Sequence, residues 1–193
     1  MLSIILPCHN VDQNALKTFT EEIEAQYNYT EIEIIVSNDA EGRGKGWAIR
    51  QGLLASRGNV VCFIDGDGDI PASMIARLLP FLKENDVVCG VKPISGIWSR
   101  RILTYLSRLY ITAMFNVKVD SQTGIKIFKR EFLSDFYNDG FLFDLELLSK
   151  AKKKGARIIE VPIDCKAAYK TMKASSIWNT LKESVTLWLE LRG

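Results

Sequence analysis

Apolar residues in the first ninety positions fall in short unbroken runs. "LSIILP" (2–7), "IEIIVSND" (32–39), "NVVCFIDGDGD" (59–69) and "DVVCGVK" (86–92) each read as a strand. Successive positions are apolar, so both faces of these strands are expected to be buried. Between them the period changes. In "ALKTFTEEIEAQY" (15–27), Leu16, Phe19, Ile23 and Tyr27 stand at helical spacing. "WAIRQGLLASRG" (47–58) and "SMIARLLPFLKEN" (73–85) read as two further helices. Alternating strands and helices predict an α/β domain with a mostly parallel sheet and helices on both faces. In such sheets the ligand lies beyond the carboxyl ends of the strands. Polar residues collect there: Cys8-His9-Asn10, Ser37-Asn38-Asp39 and Asp65-Gly66-Asp67.

After residue 92 the pattern changes. "SGIWSRRILTYLSRLYITAMFN" (95–116) predicts a long helix rich in Trp, Tyr and Arg. "KIFKREF" and "ARIIEVPIDC" predict two more strands, with "FDLELLSKAKKK" as a helix between them. Ile177, Leu181, Val185 and Trp188 form a stripe on a last helix.

The 193 residues are 47% apolar and 25% charged, which suits one domain, 1–193, with one sizeable core. The net charge of +2 hides an asymmetry. Residues 1–91 carry 7 Lys/Arg against 13 Asp/Glu, a net of −6, and residues 92–193 carry 18 against 10, a net of +8. The basic second part is expected to face an anionic partner: a phosphate, an acidic membrane surface or nucleic acid. The run Lys152, Lys153, Lys154 has the plainer reading of a solvated helix face. Cysteines 8, 62, 89 and 165 lack zinc-ligand spacing and read as buried thiols of a reducing compartment. "MLSIILPCHN" is too short for a secretory signal, and no apolar run reaches the roughly 18–20 residues that span a bilayer.

The chemistry concentrates in "VVCFIDGDGDIP", where Asp65, Asp67 and Asp69 crowd together at the end of a strand. Close carboxylates repel unless a cation sits among them. Mg²⁺ or Mn²⁺ suits all-oxygen ligands. A calcium loop does not fit, because the sixth and twelfth positions counted from Asp65 are Ile70 and Ala76 rather than Gly and Glu. A structural turn, with Asp69 starting a helix ahead of Pro71, remains an alternative. "GRGKG" (42–46) suggests a phosphate cradle but matches neither phosphate-loop pattern.

The ordered segments "SIILPCHN", "IEIIVSND", "GKGWAIRQGLLASRG", "VVCFIDGDGDIP", "DSQTGIKIFKRE" and "GFLFDLELLSKA" resemble the family 2 glycosyltransferases of the A-type, Rossmann-like fold. They resemble in particular the branch that includes the dolichyl-phosphate glucose and mannose synthases. The resemblance implies that Asp65 and Asp67 hold Mg²⁺ or Mn²⁺ on the diphosphate of a UDP- or GDP-sugar. Pro7, His9, Asn10 and Asp39 would line the nucleoside pocket, with Gly66 and Lys45 near the diphosphate or sugar. Asp120, Gln122 and Thr123 would shape the acceptor site, with Lys118, Lys126 and Arg130 as phosphate partners. Asp144 and Glu146 are the candidate bases should the acceptor be a hydroxyl. The implied reaction is inverting transfer of a hexose, glucose or mannose, to a polyprenyl phosphate. The expected place is the cytoplasmic face of a membrane, held peripherally through residues 97–115 and the last helix, with no nucleic acid as partner. The alternatives are transfer to a sugar hydroxyl, a nucleotide-binding module without catalysis, and a nucleotidyltransferase. The sequence departs from the family at His9, at Val11 and at Asn38. It also lacks one strand–helix unit, since only "AEGR" separates Asp39 from Gly44.

Overall fold

The computed structural model describes residues 1–27, 31–92, 98–119, 123–140, 142–166 and 174–191; the side chains of 98–104 and 174–181 also lie outside the described set. Its strands are β1 (Leu2–Cys8), β2 (Ile32–Asn38), β3 (Val60–Ile64), β4 (Val87–Val91), β5 (Ile125–Lys129) and β6 (Ile158–Pro162). Its helices are α1 (Gln13–Gln26), α2 (Lys45–Ala55), α3 (Ser73–Leu78), α4 (Trp98–Phe115), α5 (Phe143–Lys153) and α6 (Ala174–Glu190).

The strands form one six-stranded sheet in the order β2-β1-β3-β5-β4-β6. Every neighbouring pair is parallel except the two made by β5, which runs antiparallel between β3 and β4. β5 comes from the basic second part of the chain, so that part is built into the sheet. β2 leads straight into α2 and is an edge strand, half-buried along most of its length.

Side chains alternate across the pleat. Ile4, Leu6, Cys62, Ile64 and Ile127 pack with Leu16, Phe19 and Ile23 of α1 and with Ile75 of α3. Ile5, Val61, Phe63, Val87 and Phe128 pack on the other face with Ile49 of α2 and with Phe143, Leu147 and Leu148 of α5. This two-sided core is why the strands read as continuous apolar runs. Pro80 turns the end of the third helix into a 3-10 segment, Leu79–Lys83. The four cysteines are thiols outside any disulfide, three of them buried.

Among the described side chains of the last helix, Ser184 and Leu187 are buried and Trp188 of the expected stripe packs against the second core, whereas Val185 is 44% exposed. Ile177 and Leu181 lie outside the described side chains. α4 meets α6 through a 2.9 Å hydrogen bond between the Tyr110 and Ser184 hydroxyls, and leaves Tyr105, Leu106 and Leu109 exposed. Arg108 pairs with Glu160 at 3.1 Å. Among the described residues no helix is long and apolar enough to cross a membrane.

Asp86 ties the opposite end of the sheet together. It accepts from Lys129 Nζ at 2.7 Å and from the Arg157 amide at 2.9 Å. Burial works against its charge, but these donors win and hold its pKa down at about 2. A depressed carboxylate stabilises the fold above its unfolded pKa and loses that contribution as pH falls. Asp86→Asn is therefore expected to cost about 1 kcal/mol at neutral pH. It should also flatten the loss of stability between about pH 4 and pH 2, read from unfolding midpoints across that range.

Candidate active site

β1, β2 and β3 are parallel, so Cys8, Asn38 and Ile64 end at one edge of the sheet. β5 runs the other way and therefore begins at that edge, with Thr123 and Gly124 just before it. The first turns of α2 and α5 arrive there too. Residues far apart in the chain thus share one rim.

Asp65 stands at the tip of β3. Its amide donates to the Gly124 carbonyl at 3.0 Å. Its Oδ2 lies against Gly124, where even a methyl group would overlap it. Its Oδ1 meets the Lys45 ammonium at 2.6 Å. Part of the positive charge that the crowded carboxylates require is therefore Lys45 itself. Burial works against the lysine's charge, but Asp65, Asp144 and Asp67 outweigh it and raise its pKa. Lys45 also lies 5.8 Å from the centre of the Phe143 ring. Asp67 is exposed and accepts from the Asp69 amide at 3.1 Å. Asp69 caps no helix, because α3 begins only at Ser73.

Gly66 packs against Cys8, and a Cβ there would lie 2.6 Å from the Cys8 sulfur. Burial, with Asp65 and Asp67 adding to it, pushes that thiol up to about 11, so it stays protonated and unreactive. Pro7 pairs in register with Ser37 at the end of β1. His9 Nδ1 donates to the Asp39 carbonyl at 2.7 Å, and the Asn10 amide donates to His9 Nε2 at 3.1 Å. The bond to the Asp39 carbonyl orients the ring, and His9 stands as a wall of the rim. Asp39 is buried, and its carboxylate accepts from the amides of Gly44 at 2.7 Å and Arg43 at 2.9 Å. Those amides, Gly44 first, hold its pKa below the ordinary value. Asp39 therefore shapes the turn into α2.

That turn is not an open phosphate cradle. The Gly46 amide donates to the Asp139 carbonyl at 2.9 Å. A Cβ on Gly44 or Gly46 would overlap the carbonyl oxygens of Asp139 and Asn138. The glycines let residues 138–139 cross the start of α2. Arg50 fastens the crossing through Asp139 and the Phe136 carbonyl. Glu146 fastens it from the other side, accepting from the amides of Tyr137 and Asn138 and from Lys150 at 2.7 Å. Glu146 is thus committed to this segment rather than free as a base.

Asp144 and Lys126 form a buried pair, 3.0 Å apart. Lys126 also donates to the Thr123 carbonyl at 2.6 Å. Burial pushes the Asp144 carboxyl above its ordinary pKa, against the pull of Lys126 and Lys45. Lys126 is 1% exposed, so it shapes the floor of the site rather than greeting a phosphate. Lys118 is exposed. Arg130 belongs elsewhere. The antiparallel register sets Lys126 opposite Phe63 near the rim and Lys129 opposite Val60, so Arg130 falls at the far end, on the Gly58 carbonyl at 2.5 Å and the Ser56 hydroxyl at 2.7 Å. Asp120 and Gln122 lie outside the described residues. Gly124 and Arg50 fall inside the family-like segments but carried no assigned role, and residues 136–139 went unmarked in the sequence; a glycine directly before a strand was a further signal for Gly124.

Among the described residues no three His, Cys, Asp or Glu side chains converge as a ready-made metal site. Mg²⁺ commonly takes one or two carboxylates and completes its shell with substrate phosphates and water. Asp65 and Asp67, two residues apart at the rim, fit that donor set.

The six-stranded, mostly parallel sheet covered by helices is the A-type, Rossmann-like fold. The glucosyl-3-phosphoglycerate synthase of Mycobacterium tuberculosis, solved with UDP, superposes with a TM-score of 0.75 at 17% identity, covering 98% of this chain and 79% of that one. Residues 40–143 match the glycosyl transferase family 2 model, and the chain belongs to that family. A dolichyl-phosphate beta-glucosyltransferase of Saccharomyces cerevisiae is 28% identical over 180 residues, 80% of this chain. The chain spans 52% of that relative's length. An uncharacterized glycosyltransferase of Mycobacterium bovis is 25% identical over 210 residues, covering 98% of this chain and 95% of the relative.

Proposed function

We propose that this glycosyltransferase moves a hexose, with glucose favoured over mannose, from a nucleoside diphosphate to a polyprenyl phosphate. The observation that carries the acceptor is the similarity to dolichyl-phosphate glucosyltransferases from several organisms. Asp65 and Asp67 would hold a divalent ion, which when bound neutralises charge on the departing diphosphate. The fold neighbour from Mycobacterium tuberculosis has been crystallised with Mn²⁺ and UDP-glucose, which supports the choice of ion. Lys45 would bind a diphosphate oxygen. An acceptor phosphate oxygen forms the new bond to the anomeric carbon, while the bond from that carbon to the diphosphate breaks on the opposite face. The attacking phosphate is already an anion, so no base is required. Asp144 is paired with Lys126 and Glu146 is bonded to the 137–138 amides, which counts against the hydroxyl-acceptor route that would need one of them as base.

The exposed Tyr105, Leu106 and Leu109 of α4 and Val185 and Leu189 of α6, together with the basic second part, support contact with an anionic membrane surface. Arg100 and Arg101 lie outside the described side chains. Incubation with polyprenyl phosphate in anionic liposomes and labelled UDP-glucose or GDP-mannose tests the reading. A labelled sugar-lipid is expected, along with co-sedimentation at low salt that high salt reverses. A protein that ignores liposomes and glycosylates a soluble hydroxyl would refute it.

The short sheet bears on the donor. β2 is the edge strand, and the Asp39 carboxylate is already engaged by two amides. Discrimination between UDP and GDP is therefore expected to stay under about a hundredfold, or roughly 2.7 kcal/mol. Competitive titration of the two nucleotides measures it.

A further inference from the structure

Asp65 offers a divalent ion less than its position suggests. Oδ2 lies against Gly124, so close that a Cβ on that residue would overlap it. Oδ1, the other oxygen, carries the Lys45 ammonium at 2.6 Å. Lys45 opens α2, and the Asp139 carbonyl holds the Gly46 amide beside it, so the start of the helix is pinned. The lysine side chain has four rotatable bonds and can move where its backbone does not. An ammonium and a divalent ion cannot share Oδ1 at close range without strong repulsion.

We propose that Lys45 is a tethered competitor for the metal site: it occupies Asp65 Oδ1 and gives way to a divalent ion only when a diphosphate arrives to take the ammonium. This rests on the donor-site reading above. Each half of the exchange alone leaves charge unbalanced. A metal ion without diphosphate would face a displaced ammonium with no anion. A diphosphate without metal would draw Lys45 away and leave Asp65 and Asp67 repelling it. Metal and nucleotide are thereby made to enter together, and the protein does not load ions in the absence of donor.

The test is Mn²⁺ binding to the purified protein without nucleotide, followed through the paramagnetic resonance signal of free Mn²⁺. Lys45→Met is expected to bind Mn²⁺ at least tenfold more tightly than the wild type. Lys45→Arg keeps the charge and should stay within about threefold of the wild type, a coupling too weak to read as release. Adding Asp65→Asn to Lys45→Met should cancel the gain. Unfolding midpoints accompany each variant, and the Arg variant keeps the comparison valid should the Met variant fold poorly. Equal Mn²⁺ affinity in wild type and Lys45→Met overturns the proposal, as does a gain that survives Asp65→Asn. UDP-glucose binding in excess chelator separates the two readings. If chelator abolishes it while Lys45→Met gains nothing, the competitor role alone falls. If chelator leaves it unchanged, the metal reading of the site falls as well.

Discussion

Asp67→Ala is expected to lower UDP-glucose affinity in the presence of Mn²⁺ by at least a hundredfold, with little change in stability. Asp67 is exposed, and its recorded bond is to the nearby Asp69 amide. Losing that turn contact costs about 0.5–1 kcal/mol. Losing one of two carboxylates that would hold a divalent ion costs more, about 2.7 kcal/mol for a hundredfold change. Binding and folding effects therefore separate at this residue. Asp65 does not offer so clean a test, because its removal also frees Lys45 and unseats the contact with Gly124. Calorimetric titration of the donor with Mn²⁺, and again in excess chelator, gives the result. Donor affinity that is indifferent to both the chelator and Asp67→Ala would mean that the acidic rim serves some other end.

Gly46→Ala should destabilise the protein by about 2–4 kcal/mol. The sign is informative, because helix propensity alone predicts a gain of about 1 kcal/mol from Gly to Ala inside a helix. Here a Cβ would overlap the Asn138 carbonyl and come within 2.9 Å of Phe143 Cβ. Neither neighbour yields easily. The carbonyl belongs to backbone held by Glu146 and Arg50, and Phe143 is buried in the second core. Overpacking against such atoms exceeds the propensity gain. Gly68→Ala is the control: nothing lies near its Cβ, and only its φ of +70° resists, at about 1 kcal/mol. Urea unfolding of the two variants should rank them in that order. A stabilised Gly46→Ala would show that the 136–140 segment does not press on α2.

The layered fold was legible because it is written locally. The short apolar runs at 2–7 and 60–64, with their β-branched residues and polar ends, read as strands covered on both faces, and Leu16, Phe19, Ile23 and Tyr27 share one face in a helix. The acidic rim was legible for the same reason. A strand that ends in Asp-Gly-Asp delivers its carboxylates to the strand's carboxyl end whatever surrounds it. The sequence also showed the short sheet edge, since five residues leave no room for another strand between Asp39 and α2.

What Lys45, Asp144, Lys126, Arg130 and Glu146 do was decided by partners outside their own turns of chain. Lys45 and Asp65 are brought together because α2 and β3 deliver both residues to one rim. Asp144 and Lys126 pair because β5 enters antiparallel, and that same reversal carries Arg130 to the opposite end of the sheet. Glu146 and the glycines of the α2 turn serve a segment, 136–140, that nothing in their own neighbourhoods announces. Hydrophobic periodicity specifies which face of an element is buried, because burial is non-directional and scales with area. A charge or a hydrogen bond is satisfied by one atom at one distance, and only the folded chain supplies that atom.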